Sequence, residues 1–353
     1  MIIILKPIKI GKRYVGGKYP CYIIAEIGSN FDGNLKKAKK LISLAKKAGA
    51  DCAKFQSFQT EQLLSRHGFE QKASFQTRWK KSTWQVYKDA ELPREWHEDL
   101  SDFARKIKID FMSTPYDYEA VDILSKLHVP AFKVGSGDIT YLKFLKYISK
   151  KMKPVLLATG ASTLKEITDA IRTIKSTGNN NIILLQSVTQ YPSPIKDANI
   201  LSMVSMKKKF GLNVGYSDHS LGISIPVASV ALGACVIEKH FTDNKKNIGP
   251  DHPHSLDPQE FSEMVEMVRD VEKALGDGVK KVEKSEKETG IIQRRSIFAV
   301  KKISKGDCFT SENVKCLRPF IGLPASYLSE ILGKRARRQI DAYTPLTESD
   351  INL

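Results

Sequence analysis

The chain has 353 residues, of which 41% are hydrophobic and 27% charged, and this size and composition exclude a peptide, a single small binding module and a disordered protein. Its formal net charge is +17, but the lysines occur in pairs and triplets along the whole length and form no basic arm. That distribution predicts a solvated surface with a general attraction for small anions, and it favours neither a nucleic-acid nor a membrane partner.

The cysteines indicate a reducing compartment. The five of them include no C-x-x-C pair, so they fit neither a disulfide framework nor a zinc knuckle. The apolar run from Met1 to Leu5 is too short for a signal sequence or a membrane span. We therefore expect a cytoplasmic protein.

The first 275 residues predict eight repeats of a short strand followed by an amphipathic helix. The expected strands are Tyr22–Glu26, Cys52–Gln56, Ile109–Ser113, Ala131–Val134, Pro154–Ala158, Ile182–Ser187, Asn213–Ser217 and Cys235–His240. Strands that alternate with helices imply right-handed crossovers and a parallel sheet. Eight such units favour an α/β fold of the closed (β/α)₈ TIM-barrel type, and an open doubly wound sheet stays possible.

Two segments interrupt this repeat. Residues 1–20 form an N-terminal extension in which we expect a small hairpin around Val15–Lys18. A long insertion, Ser57 to Ala90, follows the second strand, and loops of that length are commonly functional or disordered.

The pattern changes near residue 280, where we place a domain boundary. The barrel domain is predicted to span residues 1–280, followed by a charged linker at 281–294 and a small β-rich domain at 295–353. Short strand-like runs at Ser296–Val300 and Val314–Leu317 mark this last domain. About sixty residues are few for an independent domain, so we expect it to lean on the barrel or on a partner chain.

Polar side chains gather at the carboxyl ends of the expected strands, where the reactive groups of such a barrel lie. Charged residues in apolar strands are costly to bury unless they are paired or bind something. The charged residues in question are Glu26, Lys54, Lys133, Glu238 and His240. Each alone could be a satisfied core ion pair, but five on one rim predict a reactive site.

The two lysines of this set point to an anion. Lys54 and Lys133, with the Gly135–Gly137 turn and nearby hydroxyl groups, describe a pocket of ammonium charges and backbone N–H groups. That combination suits a phosphate. The turn sequence alone is common, so the prediction depends on the lysines.

Two histidines point to a divalent metal. His219 and His240 end adjacent strands, which puts their imidazoles side by side at the barrel mouth. Two ligands leave open positions for water and a substrate oxygen, as a catalytic metal requires. Two alternatives stay open: rim histidines that are only hydrogen-bonded, and rival ligands in the loop segment Asp251–His254.

A set of motifs in fixed order carries a family resemblance. They are Ile23–Asn30, Lys54–Gln56, Ser113–Pro115, Phe132–Asp138, Gly215–His219, Glu238–Thr242 and Gly249–Asp251. Over nearly the whole chain they resemble the sialic acid synthase family, which makes N-acetylneuraminate and related nonulosonates. Residues 295–353, with Leu317–Pro319 and Leu332–Lys334, resemble that family's C-terminal antifreeze-like (SAF) domain.

The resemblance implies a reaction and its partners. Phosphoenolpyruvate condenses with an N-acetylmannosamine-type 2-acetamido sugar to a nine-carbon, sialic-acid-like 2-keto acid, and phosphate leaves by C–O cleavage. A divalent metal, Mn²⁺ or Mg²⁺, is expected on His219 and His240. The enzyme is expected to be a homodimer with exchanged tails, in which Arg318 reaches the other subunit's barrel and grips the N-acyl group.

The resemblance also assigns roles residue by residue. The expected catalytic residues are Glu26, Lys54, Lys133, Asp138 and His240, with Asp138 standing where many relatives carry Glu. The expected substrate-binding residues are Gln56, Thr114, Ser136, Thr189, Tyr191, Ser217, Asp251 and Arg318. Of these, Lys54, Thr114, Lys133, Ser136 and Ser217 match positions that hold phosphoenolpyruvate.

Three departures from the family pattern bear on the sugar. Phe31, Ala158 and Thr189 replace common polar residues and are expected to flank the pocket. Thr189 is typical of relatives that make legionaminic- or pseudaminic-type acids, so a modified acceptor competes with N-acetylmannosamine. Two further hypotheses stay open: another phosphoenolpyruvate-dependent barrel synthase of 3-deoxy sugar acids, and a carbohydrate-binding protein without activity.

Overall fold

The computed structural model describes residues 5–69, 76–77 and 79–351. Residues 1–4, most of the apolar run judged too short for a signal sequence, lie outside these ranges. By its contacts the chain divides into two compact units, Met1–Gly276 and Asp277–Leu353. Within the described ranges, no helix combines the length and apolar character needed to cross a membrane.

A short antiparallel hairpin opens the first unit. Strands β1 (Ile8–Ile10) and β2 (Arg13–Val15) pair with Ile8 opposite Val15. The turn lies at Gly11, whose φ of 56° is in the left-handed region that glycine tolerates. The hairpin therefore exists, but its predicted centre at Val15–Lys18 is wrong because Val15 is already the last residue of the second strand.

Eight parallel strands follow, one for each predicted repeat. They are β3 (Tyr22–Glu26), β4 (Cys52–Ser57), β5 (Asp110–Pro115), β6 (Phe132–Val134), β7 (Val155–Ala158), β8 (Ile182–Ser187), β9 (Asn213–Asp218) and β10 (Val236–His240). The sheet order is β5-β4-β3-β10-β9-β8-β7-β6, and its two end strands, β5 and β6, contact each other. The sheet thus closes, which confirms the (β/α)₈ barrel and excludes the open doubly wound sheet.

Helices connect the strands. They are α1 (Leu35–Lys47), α2 (Thr60–Leu63), α3 (Thr83–Asp89), α4 (Trp96–Lys106), α5 (Tyr118–Lys126), α6 (Leu142–Ser149), α7 (Leu164–Lys175), α8 (Leu201–Phe210), α9 (Ser224–Ala231) and α10 (Pro258–Ala274). The two short helices α2 and α3 lie in the insertion after β4. Local sequence explains the helix starts: Asp257 caps α10 through the backbone N–H groups of Gln259 and Glu260, and Pro258 occupies its first turn.

Side-chain alternation along the strands separates two cores. In β3, Ile23 and Ala25 face the helices, whereas Tyr22 and Ile24 face the barrel interior together with the hairpin residues of β1 and β2. Because successive side chains of a strand point to opposite faces, Glu26 must also face inward. The interior is therefore apolar at the amino ends of the strands and polar at their carboxyl ends.

The second unit has its own small core. Helix α11 (Lys287–Gln293) precedes the antiparallel strands β11 (Ser296–Ala299) and β12 (Val314–Leu317), and the short helix α12 (Leu328–Ile331) follows them. The segment predicted as a charged linker thus contains a helix. Buried aliphatic side chains and Phe309 fill the space beneath the two strands.

Candidate active site

Four charged side chains meet inside the barrel at the carboxyl ends of its strands. Glu26 of β3 is the register partner of Lys54 on one side and of His240 on the other. Lys133 of β6 and Glu238 of β10 point into the same space, and all are at least nine-tenths buried. The structure therefore brings together the charged residues that the strand pattern singled out.

These side chains form a continuous ion network. The Lys54 ammonium lies 2.6 Å from Glu26 Oε2 and 3.7 Å from Glu238 Oε2, and it donates a 3.0 Å hydrogen bond to Thr114. Lys133 Nζ donates to Glu238 Oε1 at 2.9 Å. Glu238 thus bridges two lysines, and removing either lysine leaves a buried carboxylate short of its counter-ion.

The network fixes the charge of its members. Burial alone would raise the pKa of Glu238, but Lys133 and Lys54 outweigh it and hold that pKa at about 2. Burial lowers the pKa of Lys133, and Glu238 opposes this only in part. For Lys54 the balance is reversed, because Glu238 and Glu26 overcome the burial and raise its pKa. Glu238 is therefore ionised, and Lys54 keeps a firm positive charge.

Hydroxyl groups line the same cavity around the lysines. Ser217 donates to Glu238 at 2.9 Å, and Ser136 Oγ accepts the Gly160 backbone N–H at 3.0 Å. A Cβ at Gly160 would stand 2.9 Å from that oxygen, so glycine is needed for the approach. Ser187 Oγ is buried without a hydrogen-bond partner among the described residues. Ammonium groups, hydroxyls and an unpaired donor are what a small polyanion requires.

Ala158 and Thr189 also line this cavity, as the departures from the family pattern suggested. Phe31 does not. It is fully buried between the barrel and its helices, where it contacts Phe55 and Trp96. The expectation that Phe31 flanks the pocket is wrong because, after the left-handed Gly28, the chain turns away from the mouth before this residue.

The turn after β9 holds His219 at the mouth. Lys239, fully buried on the outer face of β10, pairs with Asp218 at 2.5 Å, and Asp218 in turn accepts from Ser220. His219 Nδ1 donates to the Val188 carbonyl at 2.8 Å, which leaves Nε2 as the acceptor nitrogen. Burial and His240 lower the pKa of His219 well below its usual value, so its imidazole is neutral.

A carboxylate and a third imidazole join His240 beside this turn. His240, Asp251 and His254 each offer a ligand atom, and these atoms all lie within 4.8 Å of one another. His240 Nδ1 is buried with no hydrogen-bond partner in the described part of the chain. The His219 and His240 ring centres are 5.5 Å apart. His240, Asp251 and His254 fit a divalent cation, so the rival loop segment contributes Asp251 and His254 to the group, whereas its other histidine, His252, is not part of it.

A second cavity of about 250 Å³ adjoins His240 and extends under the insertion. Its polar wall includes Gln56, which donates to Glu26 at 2.8 Å, and Tyr191. The opposite wall is apolar and comes largely from the insertion: Phe58, Leu63, Leu64, Val86 and Ala90. Its described lining contains no lysine or arginine.

Asp138 and Arg318 complete the predicted set. Asp138 follows the Gly135–Gly137 turn, burial raises its pKa to about 6, and its Oδ2 has no hydrogen-bond partner among the described residues. Arg318 lies in the second unit directly after β12. Its role toward a substrate stays a prediction.

Sequence reasoning gave two residues of this site too little weight. Glu238 was recognised as costly to bury but received no role, although its position two residues before His240 on one strand already put both inside the barrel. His254 was ranked low because it lies on a loop. The loop's folding back onto Ser29, through Asp251, could not be inferred from spacing.

Comparison with known proteins places this geometry in a family. The NeuB family model matches residues 41–280 and the SAF domain model matches residues 294–352. The N,N'-diacetyllegionaminic acid synthase of Campylobacter jejuni is 44% identical over 90% of this chain and 96% of its own. The pseudaminic acid synthase of Helicobacter pylori is 36% identical over 94% and 98%. The crystal structure of the N-acetylneuraminic acid synthetase of Leptospira borgpetersenii has a TM-score of 0.72 and 31% identity, over 81% of this chain and 95% of that one. The chain belongs to the NeuB family and ends in a SAF domain.

Proposed function

We propose that this protein condenses phosphoenolpyruvate with an open-chain 2-acetamido sugar to give a nine-carbon 2-keto acid and inorganic phosphate. C3 of phosphoenolpyruvate bonds to the aldehyde carbon, water adds to C2, and the bond from C2 to the bridging oxygen breaks. The observation that carries the proposal is the pair of buried lysines, Lys54 and Lys133, in one cavity with hydroxyls and next to the imidazoles.

The lysine cavity is the phosphoenolpyruvate site in this proposal. Lys54 and Lys133 supply charge, and Thr114, Ser136 and Ser217 supply hydrogen bonds. Glu26 and Glu238 balance the two ammonium groups in the empty cavity, so an incoming anion has to compete with these carboxylates for the lysines. The substrate then takes over contacts that the carboxylates make in its absence.

Two carboxyl groups are available to move protons. Glu26 lines the lysine cavity and accepts a hydrogen bond from Gln56, which lines both cavities, so it can hold the sugar's reactive end toward the enol ester. We assign Asp138, which directly follows the cavity residues Ser136 and Gly137, to remove the proton from the water that attacks C2, and burial raises its pKa to about 6, which suits a base near neutrality.

The metal belongs to the same proposal. His219 and His240 would hold a divalent cation at the mouth, with Asp251 beside them. When bound, the cation supplies Lewis-acid polarisation of the sugar's aldehyde oxygen. The neutral state of His219 and the unpartnered His240 Nδ1 support this assignment.

The second cavity indicates an unphosphorylated acceptor with an apolar end. Leu63, Leu64, Val86 and Ala90 form an apolar wall that suits a methyl group, and the lining residues that the structure describes include no lysine or arginine for a phosphate group. We therefore propose a 6-deoxy, N-acylated hexose of the legionaminic or pseudaminic type.

Reactions of a panel of sugars with phosphoenolpyruvate that carries ¹⁸O at the bridging position test both steps: the label reports which bond breaks, and the rates report which acceptor is preferred. We expect the label in the released phosphate and a product whose mass equals that of the sugar plus phosphoenolpyruvate plus water, less phosphoric acid. The kcat/KM for 2,4-diacetamido-2,4,6-trideoxymannose should exceed that for N-acetylmannosamine by about tenfold, since burying or losing a methyl group is worth that much in an apolar pocket.

N-acetylmannosamine 6-phosphate is the substrate in this panel that tests whether the second cavity accepts a phosphorylated sugar. It should react at no more than about 1% of the trideoxy sugar's rate, because its charge would be desolvated without a partner. Equal rates with the phosphorylated sugar would contradict the assignment of the cavity. Failure to release labelled phosphate with any sugar would contradict the condensation itself.

We further propose that Arg318 acts across a homodimer, at the active site of the other subunit. If it does, co-expressing Lys133→Met and Arg318→Ala chains on two affinity tags should restore activity in the doubly tagged fraction. Each mixed dimer then has one site with both residues and one with neither, so this fraction should reach about half of wild-type activity.

Homodimers of each variant are the controls for that experiment. Each alone should be inactive, and so should a mixture in which one chain carries both substitutions and the other is Lys133→Met. A doubly tagged fraction without activity would show that Arg318 serves its own subunit, and an active Arg318→Ala homodimer would show that it serves neither site.

We place the reaction in the cytoplasm, consistent with five free thiols in the structure.

A further inference from the structure

His254 occupies a position that a simple pair of metal-binding histidines does not need. Its side chain is almost completely buried, and its ring centre lies 4.7 Å from that of His240. His254 Nε2 is 4.0 Å from Asp251 Oδ1. Ligand atoms on one cation at about 2.1 Å are roughly 3 to 4 Å apart, so small rotations bring these groups onto a common ion.

The short turn His252–His254 selects which of its residues face the site. His252 uses both ring nitrogens elsewhere: Nδ1 meets Thr242 at 2.6 Å and Nε2 meets Asp32 at 3.0 Å. Asp251, just before the turn, accepts two hydrogen bonds from Ser29. The turn thus directs the buried His252 side chain away from His240, toward Thr242 and Asp32, and places Asp251 and His254 next to His240.

Asp251 adds a carboxylate to the two imidazoles. Its Oδ2 accepts both hydrogen bonds from Ser29, whereas its Oδ1 is the oxygen that lies 4.0 Å from His254 Nε2. The carboxylate oxygen and the two imidazole nitrogens can therefore occupy three neighbouring coordination positions on one cation. His219 lies close to His240, with 5.5 Å between the two ring centres, and can add a further nitrogen.

We infer that His254 is a direct metal ligand, and that the resulting nitrogen-rich site selects a borderline cation such as Co²⁺, Fe²⁺ or Zn²⁺ over Mg²⁺. Imidazole ligands favour the later first-row metals, whereas Mg²⁺ prefers oxygen ligands and keeps its waters. The inference rests on the proposed function for its biological meaning, but cation binding is measurable without turnover.

The test is titration of the metal-free, full-length protein with Co²⁺, Mn²⁺ and Mg²⁺, followed by calorimetry and by the visible absorption of Co²⁺. Wild type should bind Co²⁺ at least about a thousandfold more tightly than Mg²⁺. His254→Ala should weaken Co²⁺ binding by at least about tenfold and change the absorption bands, because a nitrogen leaves the coordination sphere. Binding of phosphoenolpyruvate to the metal-free protein should not change.

Two companion variants keep the result interpretable. His254→Gln preserves the volume of the side chain, so it separates loss of the ligand from loss of packing, and it should weaken Co²⁺ binding as His254→Ala does. His67→Ala removes an exposed histidine in the insertion and should leave both metal affinity and spectrum unchanged.

The outcomes separate the inference from the proposed function. Unchanged Co²⁺ affinity and bands in both His254 variants, or a loss confined to the KM of the sugar, would overturn His254 as a ligand while leaving the condensation intact. Comparable affinities of wild type for Mg²⁺ and Co²⁺ would overturn the selectivity. A wild-type protein that binds no cation would overturn the metal in the proposed function as well.

Discussion

Replacing Lys133 with Met should lower kcat/KM for phosphoenolpyruvate by about a hundredfold to a thousandfold. Lys133 is buried and donates to Glu238 at 2.9 Å, so its loss removes one ammonium from the anion cavity and frees a carboxylate to repel the substrate. Breaking a buried ion pair in this way lowers the free energy of unfolding by about 3–5 kcal/mol. Initial rates of phosphate release, with calorimetric titration of phosphoenolpyruvate, measure the effect.

A second variant separates binding from folding. Lys133→Met with Glu238→Gln removes both partners, so thermal stability should recover toward wild type while phosphoenolpyruvate affinity stays low. Lys165→Met is the matched surface control, because Lys165 pairs with Asp169 at 3.0 Å on an exposed helix face. That pair should matter little. Wild-type affinity for phosphoenolpyruvate in Lys133→Met would exclude the lysine cavity as its site.

The strands were predictable because two constraints act on each of them. A strand buried on both faces reads as a continuous apolar run, so Ile182–Ser187 was identified with its observed bounds. A charged residue in such a run needs a buried partner, which Lys54 and Lys133 find inside the barrel near its open end and Lys239 finds in Asp218 on the outer face. Lys54 and Lys133 were therefore predictable as parts of one site from sequence alone.

The loops were less predictable because the positions of their residues depend on contacts with residues far away in the chain. Phe31 follows a motif at the mouth but is buried against Trp96 of α4, which periodicity does not reveal. The hairpin turn lies at Gly11 and not at Gly16, on which the prediction centred it. Gly16 is instead a point of close approach, since a Cβ there would stand 2.5 Å from the Asn213 side chain. His254 likewise depends on how a loop returns to β10.

Replacing Asp138 with Asn should reduce kcat by about a hundredfold to ten-thousandfold, the usual contribution of a positioned acid or base. Burial raises the pKa of Asp138 to about 6, so its carboxylate form accumulates as the pH rises through that value. If that form takes the proton from water, wild-type kcat rises with pH up to about 6 and then levels. Asp138→Asn should lack this limb, whereas Asp138→Glu should retain activity with a shifted limb.

Thermal unfolding gives a readout of the same group that does not depend on turnover. A carboxyl group with a raised pKa in the folded state adds stability that is complete below its unfolded value, about 3.9, and is lost as the pH rises through 6. Asp138→Asn should therefore match the wild-type Tm at pH 4 and exceed it at pH 8. A Tm difference that is constant across this range, together with an unchanged pH limb in kcat, would show that Asp138 is neither buried as described nor the base, and the proton acceptor would have to be sought at Glu26.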